Sequence, residues 1–109
     1  MIKRKMTDIE IKVYNQIPKG YLNPKMPKKI RDIMQETGLS ERDIKDAVRD
    51  LNTIHGKCIV GLRRPPYGYY EAQTLAELNM GLAPYKQQII TEQENIKVLM
   101  ENAEREQLA

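Results

Sequence analysis

A chain of 109 residues with 40% hydrophobic side chains has the length and apolar content of one folded domain, with a modest core and no room for a second. No apolar run approaches membrane-spanning length, and the start Met1-Ile2-Lys3-Arg4-Lys5 lacks the hydrophobic segment of a secretory signal. A single cysteine, Cys58, excludes an internal disulfide and fits a reducing compartment, so a cytoplasmic protein is expected and Cys58 reads as a small hydrophobe in a strand. The net charge of +3 hides a gradient. Residues 1–30 carry eight Lys or Arg against Asp8 and Glu10, residues 31–74 balance seven against seven, and residues 75–109 carry three against six. A polyanion would meet the front of such a molecule, and the acidic end would point away.

Thr7 and Glu10 form a capping box that opens a first helix, along which Met6, Ile9, Val13 and Ile17 draw an apolar stripe ending at Pro18. Ahead of it, residues 1–6 form a basic arm with Lys3, Arg4 and Lys5, which reads equally as a frayed terminus or as a phosphate contact. Pro18 to Pro27 is a loop broken by three prolines, Gly20 and Asn23. Lys19, Lys25, Lys28 and Lys29 cluster in it and at the following helix start, where Pro27 suits the first helical position; they are either a phosphate clamp or a solvated loop.

Ile30 to Ile54 reads as two short helices around a tight turn. Gly38 sits where the first must stop, in the left-handed conformation open to glycine, and Ser40 caps the second with Asp43 three residues on. Ile30, Ile33, Met34, Leu39, Ile44, Ala47, Val48, Leu51 and Ile54 give each helix one apolar face, with Leu39 at the corner, which is a helix-turn-helix pattern. On the second helix Arg42, Lys45, Arg49 and Asn52 form a basic and polar flank, suited to phosphates and guanine edges or simply to solvent. Asp43, Asp46 and Asp50 lie on the other flank, so a duplex would have to dock against the basic side and the helix N-terminus.

Gly56 ends the helical run, and His55 has no companion at ligand spacing, so it reads as a helix-end residue near the carbonyls and not as a metal ligand. Cys58 to Leu62 is strand-like, Arg63-Arg64-Pro65-Pro66-Tyr67-Gly68 is a turn, and Tyr69 to Ala72 returns as the partner strand with its two tyrosines on opposite faces. The predicted hairpin spans 58–72, and Arg63 and Arg64 are its candidate phosphate or minor-groove contacts. Thr74 and Glu77 open another helix through Leu75 and Leu78, with a kink or short break expected at Gly81 and Pro84. Tyr85, Ile89, Ile96, Leu99, Met100 and Ala103 then stripe a long helix running to about Leu108, and Glu92 and Glu106 interrupt its seven-residue step. That stripe needs a cover, either a partner chain or the first helix.

From Ile9 to Leu99 the chain resembles the small winged helix-turn-helix proteins encoded by phages and prophages of Gram-positive bacteria. The resemblance rests on Glu36-Thr37-Gly38-Leu39-Ser40-Glu41-Arg42, on Ile44, Val48-Arg49 and Leu51, on Cys58-Ile59-Val60, on Gly68-Tyr69-Tyr70-Glu71-Ala72, and on Leu75 and Leu78 at the start of a long helix. Met34, Asp43 and Asp46 depart from the pattern, which more often carries alanine at the first position and neutral or basic residues at the others. The expected fold is mostly α with a small β-hairpin, a winged helix-turn-helix over 1–73, and a C-terminal helical extension over 74–109 whose uncovered stripe makes it the expected dimerisation element. The resemblance implies a cytoplasmic DNA-binding regulator or replication-associated factor, with Ser40, Arg42, Lys45 and Arg49 facing the major groove and Arg63 and Arg64 in the wing. The expectation is a homodimer on double-stranded DNA acting by site occupancy, with Lys28, Lys29 and Asn52 as further contacts. A protein-interaction module on the same scaffold is the alternative. No glycine-rich phosphate loop, nucleophile with a plausible base, or metal-ligand cluster is present, so neither an enzyme nor a cofactor, metal, membrane or small-molecule partner is expected.

Overall fold

A computed structural model describes residues 4–20 and 27–107. Lys3 of the arm, Asn23, Pro24 and Lys25 of the loop, and Leu108 lie outside the described residues. Among the described residues the chain forms four helices and one two-stranded antiparallel hairpin, in the order α1 (Asp8–Gln16), α2 (Ile30–Thr37), α3 (Glu41–Thr53), β1 (Ile59–Leu62), β2 (Gly68–Glu71) and α4 (Leu75–Arg105).

The helix ends follow local chemistry. Thr7 and Glu10 close a reciprocal capping box at the start of α1, Gly38 ends α2 at φ 73°, and the Ser40 hydroxyl accepts the Asp43 N–H at 3.1 Å to start α3. Val13, Ile33, Ile44 and Leu51 are fully buried where α1, α2 and α3 meet, with Ala47, Val48 and Ile59 beside them. Each aliphatic side chain removed from water there contributes roughly 1.5–3 kcal/mol.

The face that α1 buries differs from the expected one. Ile9 is exposed and Glu10 is buried, so the inward stripe reads Met6, Glu10, Val13 and Ile17. Steps of four, three and four residues suit a helix as well as three, four and four, so spacing does not separate the two. The carboxylate of Glu10 is tolerated inside because every side of it is paired. It accepts the Thr7 N–H at 3.0 Å, both Arg4 Nη atoms at 2.9 and 2.6 Å, and lies 2.9 Å from His55 Nε2. His55 does stand at the end of α3, but its ring turns to Glu10 and not to the helix carbonyls, and Arg4 is held against the helices instead of extending as an arm.

On either side of residues 21–26, the chain between α1 and α2 lines the outer edge of β2 through residues 18–20 and Lys28. Glu71 N–H donates to Pro18 O and Gly20 N–H to Glu71 O, both at 2.8 Å, and Lys28 exchanges two backbone hydrogen bonds with Tyr69. This pairing holds Lys28 extended, so α2 begins at Ile30 and Pro27 lies outside the helix. Within the hairpin Val60 pairs with Tyr70 and Gly61 with Tyr69, so the two tyrosines occupy opposite faces. Tyr69 and Ile59 pack toward the three-helix core. Tyr70 and Val60 meet α4 at Gly81, where an added Cβ would collide with Tyr70 Oη and Val60 Cγ1.

Of the kink or short break expected at Gly81 and Pro84, the break does not occur: the helix runs unbroken from Leu75 to Arg105 with Pro84 inside it. Proline in a helix interior costs about 3 kcal/mol. Gly81 on one side of it and Tyr85, whose hydroxyl donates to Gly61 O, on the other hold both flanks of Pro84 against the hairpin. Beyond Tyr85 the helix leaves the body, and every residue from Lys86 to Glu101 is exposed. The stripe thus does not fold back on α1. The radius of gyration, 18.2 Å, exceeds the roughly 13 Å of a compact chain of this length.

Two outcomes follow from this packing. Gly81→Ala is expected to lower the unfolding free energy by about 1–3 kcal/mol in urea denaturation, because neither Tyr70 nor Val60 has room to retreat. The hydrogen-bonded Arg4 guanidinium, opposed by burial and helped by the Thr7 amide and His55, holds the Glu10 carboxyl at about 2 against its ordinary 4.5. A depressed carboxyl stabilises the fold above the unfolded value, so stability should fall as pH drops from about 5 toward 2. Glu10→Gln should flatten that fall in thermal melts and cost about 1–3 kcal/mol near neutrality.

Candidate nucleic-acid interface

The strand-like pairing of Lys28 with Tyr69 brings the first turn of α2 alongside β2, and α3 crosses beside it. A groove of about 520 Å³ opens between them. Lys29, Ile30 and Arg31 form one wall, Lys45 of α3 belongs to another, and Gly61 to Arg63 with Tyr67 to Tyr69 line the hairpin side. Tyr85 of α4 completes it. The lining therefore holds four cations, Lys29, Arg31, Lys45 and Arg63, three tyrosines, and no carboxylate.

Several groups in the groove are positioned by their neighbours. The Arg63 guanidinium stacks on the Tyr85 ring at 4.3 Å from its centroid and donates to Gln88 Oε1, so α4 sets its direction. Burial pushes the Tyr69 phenol up, against the pull of nearby Lys45, and keeps it a neutral hydroxyl. Lys45 is well exposed and sits 3.2 Å from Glu41, one turn back, an exposed pair worth a few tenths of a kcal/mol that a stronger anion would displace.

The other expected contacts divide into those that the fold occupies and those that it leaves free. The Asn52 amide grips one residue of β1, donating to Ile59 O at 3.0 Å and accepting the Ile59 N–H at 2.9 Å. It joins α3 to the hairpin and is turned away from the groove. Lys28 Nζ binds Gln16 at 2.6 Å and Glu36 at 2.8 Å, so its charge is already compensated. Ser40 serves as the α3 cap. Arg49 lies 3.6 Å from Asp46 and 3.5 Å from Asp50, which neutralises the outer face of α3 around it. Arg42 is exposed in the first turn of α3.

Arg63 and Arg64, neighbours in sequence, both line a second depression with Pro84, Gln87, Gln88, Thr91 and Glu92 on the α4 side of the hairpin, and of the two only Arg63 also lines the groove. Arg31, Tyr67 and Tyr85 entered the groove without a sequence signal. Arg31 is one of several charges on a short helix, and Tyr85 reads as one more member of the α4 stripe. Among the described residues no group of three or more His, Cys, Asp or Glu could hold a metal ion, and no helix is long and apolar enough to cross a membrane.

No family model matches the chain, and searches of curated proteins and of solved structures return no match.

The geometry at Asn52 separates a structural role from a binding one. Asn52→Ala is expected to lower stability by about 1–3 kcal/mol, since it leaves both Ile59 backbone groups unpaired. Hydrogen exchange at Ile59 should report the loss before any change in ligand binding.

Proposed function

We propose that this chain is a winged helix-turn-helix protein that binds double-stranded DNA by site occupancy, as a dimer joined through α4, in the manner of a phage-type transcriptional regulator. In this reading α2 and α3 are the helix-turn-helix, and β1 and β2, with the strand-like Lys28 segment at their edge, are the wing. The observation that supports it is the groove, where Lys29, Arg31, Lys45 and Arg63 converge with no carboxylate among them. Cations set around a concave surface suit the evenly spaced phosphates of a duplex strand, and three tyrosine rings suit the sugars between them.

The charge pattern of α3 defines the pose. Arg49 is tied to Asp46 and Asp50, so the duplex approaches from the hairpin-facing side of α3 and its N-terminus, where Lys45 and Arg42 lie. Lysine and arginine on phosphates set register and affinity, and Arg42 is the residue best placed to reach a base edge. A replication-associated role would use the same contacts. The internally paired outer face of α3 is what supports the alternative of a protein-interaction module, because it presents Asp46 to solvent without repelling a basic partner.

Fluorescence anisotropy with labelled duplexes tests the reading. Four phosphate contacts per protomer are expected to give a log–log salt slope of about −4 per half-site, or about −7 for the dimer on a full site. Lys29→Ala, Lys45→Ala and Arg63→Ala should each weaken binding to all sequences alike and make the slope shallower by about one per half-site. Binding that is undetectable, or insensitive to salt, on every duplex would reject it.

A further inference from the structure

The free part of α4 continues the line of residues that packs on the hairpin. Leu82, Tyr85, Ile89, Glu92, Ile96, Leu99, Ala103 and Glu106 alternate steps of three and four, a heptad seam with Leu82, Ile89, Ile96 and Ala103 at one core position and Tyr85, Glu92, Leu99 and Glu106 at the other. Leu82 and Tyr85 are half-buried against the hairpin, whereas Ile89, Ile96 and Leu99 are 55%, 60% and 65% exposed. An isolated helical arm of this length is marginal in water unless its apolar seam is covered.

The seam's own charges select the cover. In a parallel pair each Glu92 would face its copy in the core, and each Glu106 likewise. The flanking positions hold the amides Gln88, Asn95 and Asn102 on one side and Lys86, Gln93 and Met100 on the other; Arg63 and Arg64 share a depression with Glu92, but no cation stands at the positions flanking the paired Glu106. An antiparallel pair centred between Lys97 and Val98 removes the conflict. It sets Ile96 against the partner's Leu99, Glu92 against the partner's Ala103, and Ile89 against the partner's Glu106. That last carboxylate arrives beside Gln88, at the depression that Arg63 and Arg64 line together with Glu92 of the same chain. Arg64, which the groove does not use, supplies a cation there.

We infer that a second copy of this chain covers the α4 seam in antiparallel fashion, with its acidic helix end seated beside Arg64. The inference rests on the dimer proposed above and adds its orientation. At 1.5 Å per residue the two Tyr85 rings, 12.5 residues either side of the centre, stand about 37 Å apart along the paired helices. Half-sites one turn apart on a duplex are separated by roughly 34–36 Å. Measured along the pair, the two Tyr85 rings, each lining a groove, are thus separated by about the spacing of successive turns of DNA.

Cysteine cross-linking decides it, in a Cys58→Ser background so that only introduced thiols react. The proteins to compare are Ile89→Cys alone, and an equimolar mixture of Ile89→Cys and Glu106→Cys, both at exposed positions. Two copies of residue 89 would lie about 25 Å apart in the antiparallel pair, far beyond the roughly 7 Å that a disulfide spans between Cα atoms. The mixture should therefore form at least tenfold more covalent dimer than Ile89→Cys alone, on a chain that light scattering finds dimeric. Equal or faster self-linking by Ile89→Cys, or a dimer that forms neither link, overturns the orientation and leaves the dimer standing. A monomer by light scattering overturns both.

Discussion

A two-stranded hairpin has too little of its own to stand alone in water, and here both of its faces have to be covered. The pleat sends Ile59 and Tyr69 one way, into the three-helix core, and Val60 and Tyr70 the other, under α4. Tyr70 is completely buried, and its hydroxyl donates to Glu77 O in the first turn of α4 at 2.7 Å. Gly81 allows that helix to come close enough to seal the ring. Everything that makes the groove follows. With α4 clamped at Gly81, Tyr85 reaches Gly61 and stacks under Arg63, and that arginine then faces Lys45 across the space between hairpin and α3.

Polar side chains inside the molecule join elements that apolar packing alone would leave free to slide. Asn52 fastens α3 to β1 through one residue's backbone, and the Tyr14 hydroxyl bonds both carboxylate oxygens of the buried Glu71 at 3.0 Å, linking α1 to β2. Glu10 collects Arg4, Thr7 and His55 from three places in the chain. Fully satisfied networks of this kind make one arrangement better than its neighbours, because any shift leaves a buried partner unpaired. They also sort the cations. Arg4 and Lys28 are held by carboxylates of the same chain, while the groove gathers Lys29, Arg31 and Arg63 with Lys45, whose own pairing with Glu41 is exposed. The groove's field, and not the net charge, is what the functional proposal draws on.

The long helix serves two ends with one seam. Its first turns complete the hairpin's packing, and its remainder projects the same apolar line into solvent. Because Tyr85 and Gln88 lie at the boundary and position Arg63, whatever covers the projecting seam acts within one turn of the groove. Assembly and polyanion contact would therefore be mechanically adjacent, with no relay needed between them.

Local chemistry made much of the fold legible from the residues. Capping side chains, Gly38 at the turn, the apolar spacing from Ile33 to Leu51 and the alternation through Tyr69 and Tyr70 each determine a short-range outcome, and each is realised. Longer-range choices were not legible. Whether α1 buries Ile9 or Glu10 depends on Arg4 and His55 arriving from elsewhere, and whether Pro84 breaks α4 depends on contacts at Gly81 and Tyr85. The same holds for the candidate site. Residue type marks Lys29, Lys45 and Arg63 as cations on exposed segments, but only the packed molecule gathers them with Arg31 and Tyr85, leaves Arg64 outside the groove and occupies Asn52 and Lys28. Periodicity decides which residues share a face of one element. Which faces then meet is decided by side chains far apart in sequence, through shape and the pairing of buried charge, and no local pattern carries that information.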